Sequence, residues 1–187
     1  MQLRPLDVND HPGMVAAFQV ECAATQHARP GRVSQSQDAR LLGWRAEDGL
    51  RKRLIGAWDE ETLLGFAAGM NATDSPETTW VFVWVAPQHQ ARGIGTTLVR
   101  AIENASVEST NSFVASAYRP TAQEVEWLTQ TFARRLGYTL ATSETVVELD
   151  LAHADLPEAS AARGYTISPH LNGVPLPHRV HRGGPWR

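Results

Sequence analysis

The sequence predicts a mixed α/β domain of the α+β kind over residues 1–151, followed by an irregular tail over 152–187. Three observations carry this. Helical and strand-like periodicities alternate along the first part of the chain. Two apolar runs flanking the acidic turn Asp59-Glu60-Glu61 read as an antiparallel hairpin. A β-branched and aromatic run over 78–85 passes through a glycine-containing turn into a helical stripe. With 187 residues, 42% of them hydrophobic, the chain is long enough for one sizeable core and short for two ordinary domains of roughly 100–200 residues each.

The elements follow in order. Leu3 and Leu6 suggest a short first strand. Met14, Phe18 and Cys22 recur every four residues, which predicts a helix starting near Asp10 and stopping at Pro30-Gly31. Leu41, Leu42 and Trp44 predict a shorter helix ahead of Glu47-Asp48-Gly49. Residues 53–58 and 63–69 form the hairpin, and 78–85 form a buried strand ending before Pro87. Leu98, Ile102 and Ala105 mark the next helix, which fades at Ser109-Thr110-Asn111. Phe113 to Tyr118 predicts a strand closed by Arg119-Pro120. Val125, Leu128, Phe132 and Leu136 predict a helix ended by Gly137, and residues 138–151 return to strand. The last twenty residues hold four prolines, three glycines and three histidines without periodicity, so the tail is expected to be irregular.

Charge and composition exclude several classes. Four arginines lie after Glu158, so residues 1–158 carry thirteen basic against twenty acidic residues, a net −7. Such a body is a poor match for nucleic acid, which is held by neutralising its phosphates. Cys22 is the one cysteine, so no internal disulfide forms and a reducing, cytoplasmic setting is expected. No window approaches the roughly 18 apolar residues of a membrane span. His178 and His181 form an H-x-x-H pair without helical context or a third ligand, so no metal site is expected. Cys22 and the tryptophans Trp44, Trp58, Trp80, Trp84 and Trp127 are expected mostly in the core, and His11, His27 and His89 at the surface or as caps.

The chemistry concentrates in residues 81–107. A strand is followed by Gln90-Ala91-Arg92-Gly93-Ile94-Gly95 and a helix. A helix N-terminus offers unpaired N–H groups and partial positive charge, so a polyphosphate can sit there without a basic side chain. Gly93 and Gly95 would let the backbone approach phosphate oxygens and adopt positive φ, and Arg92 would add a cation. Glycines in a tight turn also serve purely steric ends, and that reading stays open. The third glycine of a Rossmann pattern would fall on Leu98, and the lysine of a nucleotide P-loop is missing.

The order of elements, together with Val85 and Pro87 followed by Gln90, Gly93 and Gly95, resembles the GNAT superfamily of N-acetyltransferases. The resemblance implies a mostly antiparallel sheet that splays after the strand preceding the motif. It implies acetyl-CoA as co-substrate, its pantetheine arm pairing with Val83 and Val85 and its pyrophosphate against the amides of Gln90, Ala91, Arg92, Gly93, Ile94, Gly95 and Thr96. The segment 132–151 and Gly164-Tyr165-Thr166-Ile167 are further similar to the N-terminal half of the tandem acetyltransferases of actinobacteria. On that resemblance the tail is expected to be the remnant of a truncated second domain.

The activity so implied is acetyl transfer to a primary amine of a small acceptor. In the family a tyrosine following the Phe of an F-Y-x-x-x-G-F pattern protonates the departing thiolate. Here that Phe is Phe132 and the tyrosine position is Ala133, while the asparagine seven residues earlier matches Glu126. No carboxylate lies inside the strand 79–84. Glu77, acting through water, is the candidate base and Tyr118 the candidate acid, against a solvated turn residue and a packing residue respectively. Positioning alone is the further route. A cofactor-binding half-domain without chemistry is the alternative function. The short stretch 138–151 suggests a missing closing strand and hence a homodimer. The acidic body leans toward a cationic acceptor.

Overall fold

The computed structural model describes residues 1–119, 128–145, 149, 153–155, 160 and 163–165. The elements are β1 (Gln2–Pro5), α1 (His11–Ala28), α2 (Gln37–Arg45), β2 (Leu50–Asp59), β3 (Thr62–Ala72), β4 (Thr78–Val85), α3 (Ile94–Ser106), β5 (Ser112–Val114) and α4 (Leu128–Arg135). One five-stranded sheet runs in the order β1-β2-β3-β4-β5. Its first three pairings are antiparallel and the last is parallel. The chain divides into two compact units, Met1–Leu140 and Ala141–Arg187. The described residues of the second unit form no helix or strand.

Local chemistry sets the elements. Pro12, whose fixed φ suits a first helical turn, opens α1, and the Asp10 carbonyl accepts the Met14 N–H at 2.9 Å. The Asp10 side chain makes no capping bond. The buried stripe of α1 is Met14, Ala17, Val20 and Ala24, with Phe18 and Cys22 half-buried at its border, so the spacing that suggested the helix ran along its edge. Small residues on that stripe let α1 lie close against β3 and β4. In α2, Ser36 Oγ accepts the Ala39 N–H at 3.3 Å. The single lysine ties off its other end: Lys52 Nζ donates to the carbonyls of Gly43 and Ala46 and pairs with Asp48.

The sheet is covered on both faces. Toward α1 and α2 the core holds Met14, Leu41, Trp44, Leu54, Phe66 and Ala68, with Met70, Phe82 and Trp84 of the sheet packed against it. Toward α3 it holds Ala57, Ala67, Val81, Leu98, Val99 and Ile102, bordered by Val83, Val85 and Phe132. The alternation of Val81, Val83 and Val85 with Phe82 and Trp84 is the two-residue period of a strand sorted onto two layers. α3 lies so close to β3 that a Cβ on Gly69 would come within 3.1 Å of Ile102.

Three expectations are corrected. The strand expected over 113–118 is limited to Ser112–Val114, because β4 and β5 pair only from Thr78/Ser112 to Trp80/Val114 and a strand without a partner has no ladder to hold it. Residues 138–145 are not strand either; the rest of that expected strand, and Val125, Glu126 and Trp127, lie wholly or partly outside the described residues. Trp80 is 45% exposed instead of being core.

α4 ends as a Schellman turn: Gly137 has φ +96°, its N–H donates to the Arg134 carbonyl at 3.0 Å, and the Tyr138 N–H donates to the Ala133 carbonyl at 3.1 Å. A side-chain clamp fastens this turn to α3. Arg100 donates to the Leu136 carbonyl and to Glu103, and the Tyr138 hydroxyl donates to Glu103 at 2.9 Å. Burial, then the neighbouring Glu103 carboxylate, pushes the Tyr138 phenol well above its ordinary range. The folded state therefore holds the proton, so the stabilisation is complete below the unfolded pKa of about 10 and is lost as pH rises beyond it. Tyr138→Phe is expected to lower stability by about 1 kcal/mol at neutral pH. In urea titrations the gap between wild type and variant should close above roughly pH 10.

Candidate functional site

β4 delivers its last ladder bond, Ala86 N–H to the Leu64 carbonyl at 2.9 Å, and then leaves the sheet. One 3₁₀ turn over Pro87–His89 leads to Gln90, and two residues in left-handed conformation follow, Ala91 at φ 58° and Gly93 at φ 80°. Gly93 is the N-cap of α3, and no side chain caps that helix. The amides of Ile94, Gly95 and Thr96 therefore open the helix without an intrahelical acceptor. Ala91, Arg92, Gly93 and Thr96 are exposed, whereas Ile94 is buried and anchors the first turn in the core.

The two glycines do different things. Nothing lies within 4 Å of the place where a Gly93 Cβ would be, and its conformation is the one that side chains resist. Gly95 is not left-handed, contrary to expectation. A Cβ there would lie 3.4 Å from Phe132 Cζ and 3.7 Å from Val85 Cγ2, ordinary contact distances, so Gly95 sits beneath Phe132 of α4 with room for a methyl group but not for a branched side chain. The sequence marked Phe132 as part of a helical stripe and did not signal this contact.

The strand edge beside the loop is open. Ala86 bonds toward β3, and residues paired across an antiparallel ladder alternate the direction of their polar groups. Trp80, Phe82 and Trp84 thus bond toward β3, and Val81, Val83 and Val85 present N–H and C=O to the β5 side. β5 departs after Val114, level with Trp80, so those groups face a gap. At the loop end of the gap Gln90 Nε2 donates to the Val85 carbonyl at 3.0 Å. Val83, Val85 and the stretch Gln90 to Thr96 are thus contiguous around one opening.

On the α1/α2 side, β4 carries an aromatic stripe. Trp84 stacks on Phe66 at 4.7 Å between ring centroids and on Phe82 at 5.8 Å. The Arg40 guanidinium sits 4.5 Å from the Trp44 ring and 6.0 Å from Trp84, and is paired with Glu21 at 2.7 Å. Tyr118, half-exposed beyond β5, has Arg29 over its ring at 3.6 Å and Arg32 at 5.9 Å. Tyr118 and these arginines stand far apart in sequence, and no local pattern could have joined them.

Glu77 lies at the opposite end of β4, roughly 26 Å from Val85 at a strand's rise per residue. It is exposed, and its own backbone amide and then the Ser75 hydroxyl, at 2.9 Å, hold its carboxyl below the usual range. Its main-chain carbonyl accepts the N–H groups of Asn111 and Ser112, which starts the β4–β5 pairing. Inside the strand Thr79 is buried and shares a hydrogen bond with Thr110. Ala133 is half-buried on α4, one residue after Phe132.

Elsewhere there is less. A depression of about 390 Å³ lies beside Leu50, Met70 and Trp80, at the Glu77 end of the sheet. Among the described residues no three His, Cys, Asp or Glu side chains come together as a metal site. His178 and His181 lie outside the described residues. No described helix is long and apolar enough to cross a membrane.

One family model, described as the acetyltransferase (GNAT) family, matches residues 18–138. Among curated proteins no sequence matches the chain significantly. Among solved structures, the chain is similar to a tandem GNAT protein of the clavulanic acid biosynthesis pathway, at 17% identity and TM-score 0.59, over 73% of this chain and 43% of that one. It is also similar to an aminoglycoside acetyltransferase from an uncultured soil metagenomic sample in complex with sisomicin, at 15% identity and TM-score 0.58, over 80% and 95% of the two chains. An aminoglycoside N-acetyltransferase in complex with CoA aligns at 13% identity and TM-score 0.54, over 80% and 99%. At such identities the structural likeness is one of fold.

Proposed function

The chain belongs to the acetyltransferase (GNAT) family, and from that premise we propose that it moves an acetyl group from acetyl-CoA to a primary amine of a small acceptor. The observation that carries this reading is the opening between β4 and β5, where unpaired strand groups meet an uncapped helix N-terminus. Val83 and Val85 offer donors and acceptors spaced for the amides of an extended pantetheine arm. In this reading the amides from Ala91 to Thr96 take the pyrophosphate, with Arg92 exposed beside them, while the Gln90 N–H, included in the expected set, already donates to the Pro87 carbonyl at 3.3 Å. Val85 keeps its N–H for the ligand while Gln90 holds its carbonyl.

The reaction asks little of covalent machinery. The amine attacks the thioester carbonyl, the C–S bond breaks, one proton leaves the amine and one joins the thiolate. Alignment of the two reactants supplies much of the rate. In this reading Glu77, held ionised and solvated about 10 Å before the point where β5 departs from β4, takes the amine's proton through a chain of waters and not by direct contact. The Tyr118 hydroxyl serves the departing thiolate in place of the side chain that Ala133 lacks. Pairing of two copies along the outer edge of β5, where a closing strand is missing or supplied by the partner, belongs to the same reading.

Ala133 also favours a second reading, a half-domain that binds acetyl-CoA without transferring its acetyl group. Ala133→Tyr separates the two. With a panel of primary amines and a thiol-release assay, the variant is expected to raise kcat by about tenfold or more, within what one positioned proton donor supplies. A wild type and a variant that both bind acetyl-CoA yet release no CoA with any amine would establish the binding-only reading.

A further inference from the structure

We propose that Arg29 and Arg32 form an anion site for the acceptor, so that the acetylated amine belongs to a molecule that also carries a carboxylate or phosphate; this rests on the acetyltransferase reading above. The two arginines are held in place by the backbone. Arg29 caps α1, its N–H donating to the Thr25 carbonyl at 2.8 Å, and its side chain is half-buried. Arg32 follows in a turn closed by its N–H on the Arg29 carbonyl at 3.2 Å and by Gln26 Nε2 on its own carbonyl at 2.6 Å.

Both guanidinium groups converge on the Tyr118 ring, at 3.6 and 5.9 Å from its centroid. Neither makes an ion pair or a side-chain hydrogen bond among the described residues. Where an arginine of the same unit lies against an aromatic ring next to a carboxylate it is neutralised, as Arg40, set against Trp44 and Trp84, pairs with Glu21. Arg51, Arg53 and Arg92 make no ion pair among the described residues, but none of them gathers with a second arginine on one ring. The negative pole of α1 offsets part of one positive charge. It leaves the forked donors of Arg29 and Arg32 without an acceptor, and two like charges gathered on one ring repel. A carboxylate or phosphate between them satisfies both demands, because the guanidinium fork matches its geometry.

The place is right for an acceptor. β5 runs parallel to β4 and leaves it after Val114, level with Trp80, and Tyr118 lies four residues further on, where the side chain of Arg29 from the end of α1 covers its ring. α1 packs on β4 and on the turn that follows it. The contact from Arg29 to Tyr118 thus joins the chain leaving β5 to the end of α1, the helix on the face of the sheet opposite α3, and we take it to border the gap on that face. An acceptor reaching a thioester in the gap from that side passes these cations. The acidic charge of the whole body, which leaned toward a cationic acceptor, is reversed at this point.

The test compares matched amines, tyrosine with tyramine and 4-aminobutyrate with butylamine, on wild type, Arg29→Ala/Arg32→Ala and Arg29→Lys/Arg32→Lys. Expected is a preference for the carboxylated member of at least tenfold in kcat/KM, carried by KM, lost in the alanine variant and partly kept in the lysine variant. No preference in an active wild type, or equal preference in the alanine variant, overturns the site. A readout free of turnover follows the Arg29 and Arg32 Nε–Hε resonances during acetate titration at constant ionic strength. A saturable shift supports the site, and a linear change like that with chloride overturns it. Titration with acetyl-CoA separates the two claims: binding without a saturable acetate shift removes the anion site alone, and the converse removes acetyl transfer alone. Should the alanine variant weaken CoA but leave 3′-dephospho-CoA unchanged, the anion is the cofactor's own phosphate and the acceptor assignment falls.

Discussion

Replacing Gly93 and Gly95 together with valine is expected to weaken acetyl-CoA binding at least a hundredfold while leaving a folded chain. Gly93 has φ 80° and open space around it, so valine there meets no neighbour but faces a conformation that β-branched residues avoid, at a cost of about 1–2 kcal/mol. Relief of that strain moves the backbone out of the left-handed turn that aims the first amides of α3. At Gly95 the added branches enter the space of Phe132 and of Val85 Cγ2. Losing two or three aligned amides to a doubly charged pyrophosphate removes charge-assisted bonds of about 1.5–3 kcal/mol each. Calorimetric titration of both proteins with acetyl-CoA measures this directly, and far-ultraviolet dichroism confirms the fold. A wild type that is folded and does not bind would reduce the glycine loop to a turn.

Phe66→Ala carries the largest expected effect on stability. Phe66 is fully buried in the layer beneath α1 and α2 and stacks on Trp84. Truncating such a ring removes its transfer free energy and leaves a cavity that a close-packed core only partly refills, about 3–5 kcal/mol in comparable cores. For a chain of this length that corresponds to a loss of roughly 6–20 °C in Tm by thermal unfolding. Trp84 loses the ring it rests on, so its fluorescence should report a more solvated environment below the transition. A shift under roughly 1 kcal/mol would mean that Trp84 and Met14 collapse into the void.

Much of this architecture was legible in the sequence because burial imposes periodicity. The hairpin around Asp59, the strand over 78–85 and the helix beginning at Ile94 each bury a face against a neighbour, and their spacing records it. Their chain order with Gln90, Gly93 and Gly95 placed the family. Elements that lack a partner were misread. Phe113 to Tyr118 has the composition of a strand, yet only Ser112–Val114 finds β4 to bond with, since divergence is a tertiary property. Trp80 reads as core by composition but lies beyond the cover of α1 and α2. The position of Gly95 beneath Phe132 and the convergence of Arg29 and Arg32 on Tyr118 were invisible for one reason: each is a contact between segments distant in sequence.

The Gln90 bond to Val85 bears on how the resting protein tolerates its own gap. A bare strand edge invites a foreign strand, and here one carbonyl at its loop end is already engaged by a side chain that can swing aside. With β5 closing the other end after three residues, the open run is confined to the stretch from Val81 to Val85. Filling it with an extended arm would make the ligand a segment of the sheet. Occupancy and folding stability would then rise together, and the protein would be most resistant to unfolding where its acyl donor is abundant.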